Sequence, residues 1–254
     1  MIPLSDELPT VRTPWMTYAI LTVTFATWIL VQGAGFDHVA LAVSVCNLGM
    51  VPGELTHLSP LGAAVPLGRG MACVVDNDPI NWATPFISMF LHGGWGHILG
   101  NVLFFWVFGN NIEDSLGHFR FLAFYLVCGL AAAVAHILAQ PASPLPTVGA
   151  SGAISGILGA YLVLYPRVRV RMLFWFIIFF KIIPIPAWMV LLWWLFWQLV
   201  AALPELTSGS DLTGGVAVWA HVGGFVAGVI LVKFFENRHL VVRRIPSTKL
   251  SSQD

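Results

Sequence analysis

The stretch Val148-Gly-Ala-Ser151-Gly-Ala-Ile-Ser155-Gly-Ile-Leu-Gly159-Ala-Tyr-Leu-Val-Leu-Tyr165 decides how this chain is to be read. It holds no charge and is long enough to cross most of a bilayer as a helix. Ser151, Ser155 and Gly159 recur every fourth residue, as do Gly152, Gly156 and Ala160. Such a small-residue face lets a second helix backbone come close. The stretch is therefore a membrane helix built to touch another, with a hydroxyl at its start.

The rest of the chain supports a membrane setting. Hydrophobic residues make up 57% of the 254 positions, charged residues 9%, and the mean hydropathy is +0.82. A soluble domain needs more charge than this to cover its surface. Besides residues 148–165, apolar stretches at 15–36, 93–112, 121–140, 186–203 and 214–232 give six expected spans, so the expected fold class is an all-α polytopic membrane protein. Met172–Ile183 is apolar but short, flanked by Arg167, Arg169 and Arg171 and followed by Pro184 and Pro186. It is expected to lie along the cytoplasmic surface rather than to span.

Charge placement tests the count. With six spans and both termini inside, Arg12, Arg120, Arg167, Arg169, Arg171, Lys233, Arg238, Arg243, Arg244 and Lys249 all fall on the inner side. Arg69 falls outside and Lys181 is left over; the bias marks the cytoplasmic face. A seventh span would move the C-terminal basic cluster outside. Residues 37–91 form a long outer loop with structure of its own, and residues 243–254 a short disordered tail. The start, with Asp6, Glu7 and Arg12 before the first apolar run, lacks the pattern of a cleaved signal. Zero net charge argues against nucleic acid as a partner. Cys46 and Cys73 are open to pairing or to staying as free thiols.

Polar groups at membrane depth invite functional hypotheses. Three clusters qualify: His92-Gly-Gly-Trp-Gly-His97-Ile-Leu-Gly-Asn101, Gly149-Ala-Ser151-Gly152, and Ala220-His221-Val-Gly-Gly224 continuing to Gly228. They open the second, fourth and sixth spans, so all three face the outer side at similar depth. A serine becomes a nucleophile when a neighbouring base takes its proton, and a neutral imidazole is the fitting base. The expected site pairs Ser151 with His221. The His97 ring, the Asn101 amide and the Ser151 backbone N–H are candidate donors to an oxyanion, helped by the positive end of a helix dipole. Glu113 and Asp114 lie at the opposite face, which favours a dyad over a triad. Metal binding by His92 and His97 is disfavoured by their i,i+5 spacing. His118 and His239 are expected at the interface or in solvent, His136 as a packing residue, and the tryptophans in an aromatic belt.

From about Trp82 to Phe235 these residues resemble the rhomboid proteases. The resemblance rests on Trp82-Ala-Thr-Pro85, the spacing of His92, His97 and Asn101, Phe108-Gly-Asn-Asn-Ile-Glu-Asp114, and the Gly-Ala-Ser-Gly and Ala-His-Val-Gly-Gly segments. It implies a six-helix bundle with a cavity opening outward; a bacterial plasma membrane is expected because the sequence shows no targeting extension or appended soluble domain. It further implies a serine endopeptidase for single-span membrane proteins, which approach beside spans two and five, with no metal or cofactor. Ser151 is then the nucleophile, His221 the base, and His97 and Asn101 oxyanion donors. His92 and the glycines 149, 152, 224 and 228 support the site, and Glu113 ties a helix end to its neighbours. One position departs from the family: the aromatic expected four residues after the nucleophile is Ser155, so another group must hold His221. Two other functions compete, an inactive client-binding relative and a small transporter using intramembrane histidines.

Overall fold

The computed structural model describes residues 2–76, 79–176, 179–208 and 217–242. The tail 243–254 and the expected start of the sixth span at 214–216 lie outside the described residues.

The chain opens with strand β1 (Ile2–Asp6) and helix α1 (Trp15–Leu30). The long loop that follows holds α2 (His38–Leu48), α3 (Pro52–Leu55), the hairpin β2 (Ala64–Gly68) and β3 (Met71–Val74), and α4 (Thr84–Ile87). Next come α5 (Trp95–Leu116), α6 (His118–Ala139) and α7 (Ser151–Leu164). A second hairpin, β4 (Arg169–Phe176) and β5 (Phe179–Pro186), leads to α8 (Ala187–Ser208), α9 (Val218–Phe235) and α10 (Arg238–Val242). By length and composition α6 and α9 can each cross a membrane, and α1, α7 and Ala187–Leu203 are apolar but shorter.

Helix α7 is the hub. Every residue from Gly152 to Tyr161 is buried. Its glycines explain why: a Cβ on Gly152 would stand 2.6 Å from the Ala132 Cβ of α6, and one on Gly156 would strike Cys128. On the α9 side, a Cβ on Gly224 would run into the Gly152 carbonyl, and one on Gly228 into that of Gly156. Since 152 meets 224 and 156 meets 228, α7 and α9 run parallel and in register with backbones touching. Around this contact lies a core of Phe105, Phe108, Phe121, Phe124, Tyr125, Ile157 and Leu158, all close to fully buried.

The lower ends of α5 and α7 are level, because the Ser115 and Tyr165 hydroxyls share a hydrogen bond of 2.5 Å. Asp6 spans the same end, taking hydrogen bonds from Asn111 on α5 and Tyr161 on α7. Fourteen positions earlier on each helix stand Asn101 and Ser151, both about 21 Å above that pin at 1.5 Å per residue. Helix α5 continues to Trp95, whereas α7 stops at Ser151. The short helix leaves a recess above the serine.

Two expectations need correction. The chain is not purely helical, and the stretch around Met172–Ile183 belongs to a hairpin: β4 pairs with β5 and, on its other side, with β1. Along β4 residues alternate, Arg169 and Arg171 exposed, Val170 and Met172 buried. That period of two is a half-buried strand, and Pro184 and Pro186 are tolerated because β5 is an edge strand. The tryptophans, secondly, are not all in a belt: Trp28 is fully buried.

The loop after α1 is fastened to the helices and across itself. Cys46 of α2 is disulfide-bonded to Cys73 of β3. Met50 and Thr147 exchange backbone hydrogen bonds at 2.9 and 2.7 Å. The Gln32 amide donates to the His92 carbonyl and accepts from the His92 N–H, both at 2.8 Å.

Candidate active site

The recess above α7 is a cavity of about 980 Å³, lined among others by His97, Asn101, Ser151, Trp194 and His221. Ser151 is the first residue of α7, and its Oγ lies 2.7 Å from Nε2 of His221 on α9. The glycine register of the two helices sets this distance: less than a turn below the pair the backbones already meet at Gly152 and Gly224.

The other ring nitrogen of His221 is also engaged. Nδ1 lies 2.7 Å from Oε1 of Gln198, on α8. One turn earlier on α8, the Trp194 ring lies 5.9 Å from the imidazole, tilted by 41°, and stacks on Phe225 at 6.1 Å. Trp194 thus fills the role left vacant by Ser155. Neither Gln198 nor Trp194 was anticipated, although an amide within the apolar run Ala187–Leu203 was a visible signal.

Ser155 itself is turned away. Its hydroxyl donates to the Ser151 carbonyl at 2.6 Å, within its own helix, and the residue is 1% exposed.

His97 sits one turn above Asn101 on α5. The Gly93 N–H donates to its Nδ1 at 3.3 Å, so Nε2 carries the ring hydrogen. That Nε2 faces Gly149: a Cβ there would stand 2.6 Å from Nε2 and 3.5 Å from Ser151 Oγ. Gly149 also has φ of +128°, a region that side-chain-bearing residues avoid. Absence of a side chain keeps the space between the serine and the His97 donor open. Asn101 lines the same cavity, and its amide nitrogen is buried without a protein hydrogen-bond partner. His92 is fully buried, its ring edge-on to His97 at a centroid distance of 5.1 Å.

Glu113 lies at the opposite end of α5. It takes the Met16 N–H at 2.9 Å, the Thr17 N–H at 2.8 Å and the Thr17 hydroxyl at 2.7 Å, closing the first turn of α1. His118, half-buried, bonds to the same carboxylate. His136 bonds to the Thr147 hydroxyl at 3.0 Å.

A family model, described as the Rhomboid domain, matches residues 80–238. The chain belongs to the rhomboid family. The matched segment holds every residue of the cavity wall named above, from His97 to His221, and leaves out β1 to β3 with α1 to α3. The chain is 28% identical to RHOMBOID-like protein 5 of Arabidopsis thaliana over 165 residues, 61% of this chain and 52% of that one. It is 31% identical to Rhomboid protease AarA of Providencia stuartii over 163 residues, 59% and 54% of the two. With Rhomboid protease GluP of Bacillus subtilis it shares 40% identity over 81 residues, 32% of this chain and 15% of that one. The chain therefore spans about half or less of these relatives. As a rhomboid it has a helical, polytopic membrane fold, and among the described residues α6 and α9 meet the length and apolarity of a span outright.

Proposed function

We propose that this rhomboid is an intramembrane serine endopeptidase that cuts single-span membrane proteins with Ser151 and His221. The observation that carries the reading is the 2.7 Å approach of the Ser151 hydroxyl to the His221 ring at the floor of a cavity. Relatives whose names describe rhomboid proteases support it.

In this mechanism the His221 Nε2 takes the proton as Ser151 Oγ attacks the scissile carbonyl. The new oxyanion accepts from the Ser151 backbone N–H at the free start of α7, the His97 Nε2–H and the Asn101 amide. His221 then gives its proton to the leaving amine. Water reaching the acyl-enzyme through the cavity completes hydrolysis. His92 backs the His97 ring, Gly149 leaves room for the carbonyl, and Gly152, Gly224 and Gly228 hold the two helices close.

The membrane arrangement we favour has α1, α5, α6, α7, α8 and α9 as six spans, both termini cytoplasmic and the cavity facing out, in a plasma membrane. The bias of Lys and Arg supports it. The disulfide supports it independently, since Cys46–Cys73 ties the loop whose Val65, Pro66 and Leu67 line the cavity mouth, and disulfides persist on the oxidising side of a membrane. Substrates would arrive beside α5 and α8.

The test is cleavage of a single-span substrate by the protein reconstituted in vesicles. Ser151→Ala should abolish cutting and labelling by a serine-directed electrophile; Ser155→Ala should keep both, at a lower rate. Wild type that neither cuts several candidate substrates nor takes the label would point instead to an inactive client-binding relative.

A further inference from the structure

We infer that Gln198 is a positioning residue for the reaction proposed above, on which this inference rests: its amide oxygen holds the Nδ1–H of His221 and so leaves Nε2 free to act as base. Three helices converge on one imidazole. Helix α7 brings Ser151 Oγ to Nε2 at 2.7 Å, and α8 brings Gln198 Oε1 to Nδ1 at 2.7 Å. An amide oxygen only accepts, so Nδ1 must carry the hydrogen and Nε2 must present its lone pair to the serine. The opposite tautomer would put a hydrogen on Nε2 and leave the serine without a base.

Two further features belong to the same device. Trp194 lies one turn from Gln198 on the same face of α8 and covers the ring, so one helix holds both the face and the edge of the imidazole. When Nε2 takes the serine proton, Nδ1–H keeps its acceptor, and the orientation survives into the charged state. A neutral amide performs this at membrane depth without burying a carboxylate, which a Ser-His-Asp arrangement would require. The carboxylates of Glu113 and Asp114 are committed elsewhere, to the start of α1 and the segment before it. Gln198 therefore does by hydrogen bonding what an aspartate does in soluble serine proteases, and the site works as a Ser-His-Gln relay of contacts.

The experiment compares Gln198→Met, Gln198→Glu and Ser151→Ala in the full chain reconstituted in vesicles, measuring kcat, KM and the pH profile of cleavage. Gln198→Met keeps the length and loses the acceptor; kcat should fall about 10- to 100-fold with KM within about twofold, as for other histidine-orienting partners. Gln198→Glu keeps an acceptor and adds charge; activity should be rescued and the acid limb of the profile should move to higher pH by about one unit. Among the described residues, the other titratable groups that act on the ring, His97 on α5 and His136 on α6, are unchanged in all variants. Wild-type kcat and profile in Gln198→Met would overturn the inference, as would equal losses in both Gln198 variants with an unmoved profile. Cleavage that survives in Ser151→Ala would overturn the reaction itself instead.

Discussion

Gly224 of α9 lies against the carbonyl oxygen of Gly152 on α7 with no room for even a methyl group between them. The approach of His221 to Ser151 depends on this contact, because the two pairs are less than a turn apart along the same helices. Gly224→Ala should push the helices apart, lower stability by about 1 to 3 kcal/mol and cost most of the cleavage activity. Gly62→Ala, in a loop with open space around it, is a control for the added methyl, although its φ of +80° will cost a little stability. Thermal unfolding in detergent and cleavage rates of both variants check this.

Asn101 lines the cavity, and no protein atom accepts a hydrogen bond from its buried amide nitrogen. If it serves the oxyanion, Asn101→Ala should lower kcat by about 10²- to 10³-fold and leave the fold intact. Steady-state kinetics alongside an unfolding curve separate these two effects.

Glu113 closes the first turn of α1 through three hydrogen bonds, far from the cavity. Glu113→Ala leaves those buried donors unmatched and should destabilise the protein by about 2 to 3 kcal/mol, with kcat per folded molecule nearly unchanged. An unfolding titration with activity normalised to folded protein is the measurement.

Cys46 and Cys73 are bonded, and Cys128 is the remaining thiol, buried under α7. Thiol counting on denatured protein should find one free thiol without reductant and three with it. Removing the bond in Cys46→Ser/Cys73→Ser frees the hairpin beside the cavity from α2. With a sequence separation of 27 between the cysteines, it should lower stability by about 3 to 4 kcal/mol on chain-entropy grounds.

The legible parts of the site share one property. Ser151, His97, Asn101 and His221 are polar groups in apolar runs, each beside glycines, and such groups stand out without coordinates. Gln198 is also a polar group in an apolar run, but no glycine stands near it, and its tryptophan-rich surroundings read as a lipid-facing belt that hides Trp194 as well. The β4–β5 hairpin was missed for a different reason. Its apolar length hid an alternation of Arg169, Val170, Arg171 and Met172, and its partner β1 is more than 160 residues away in the chain.

The sequence by itself determined the family and the membrane setting, since both follow from local composition and short motifs in order. It also placed Ser151 and Asn101 near the starts of their helices, and the Ser115–Tyr165 contact brings the two to one height. Only the tertiary structure decided which nitrogen of His221 meets Ser151 and which meets Gln198, that Cys46 and Cys73 pair, and that α7 stops short to leave a cavity. Those features are relations between segments distant in the chain, set by how closely small residues let backbones pack, and no local pattern encodes a distance between helices.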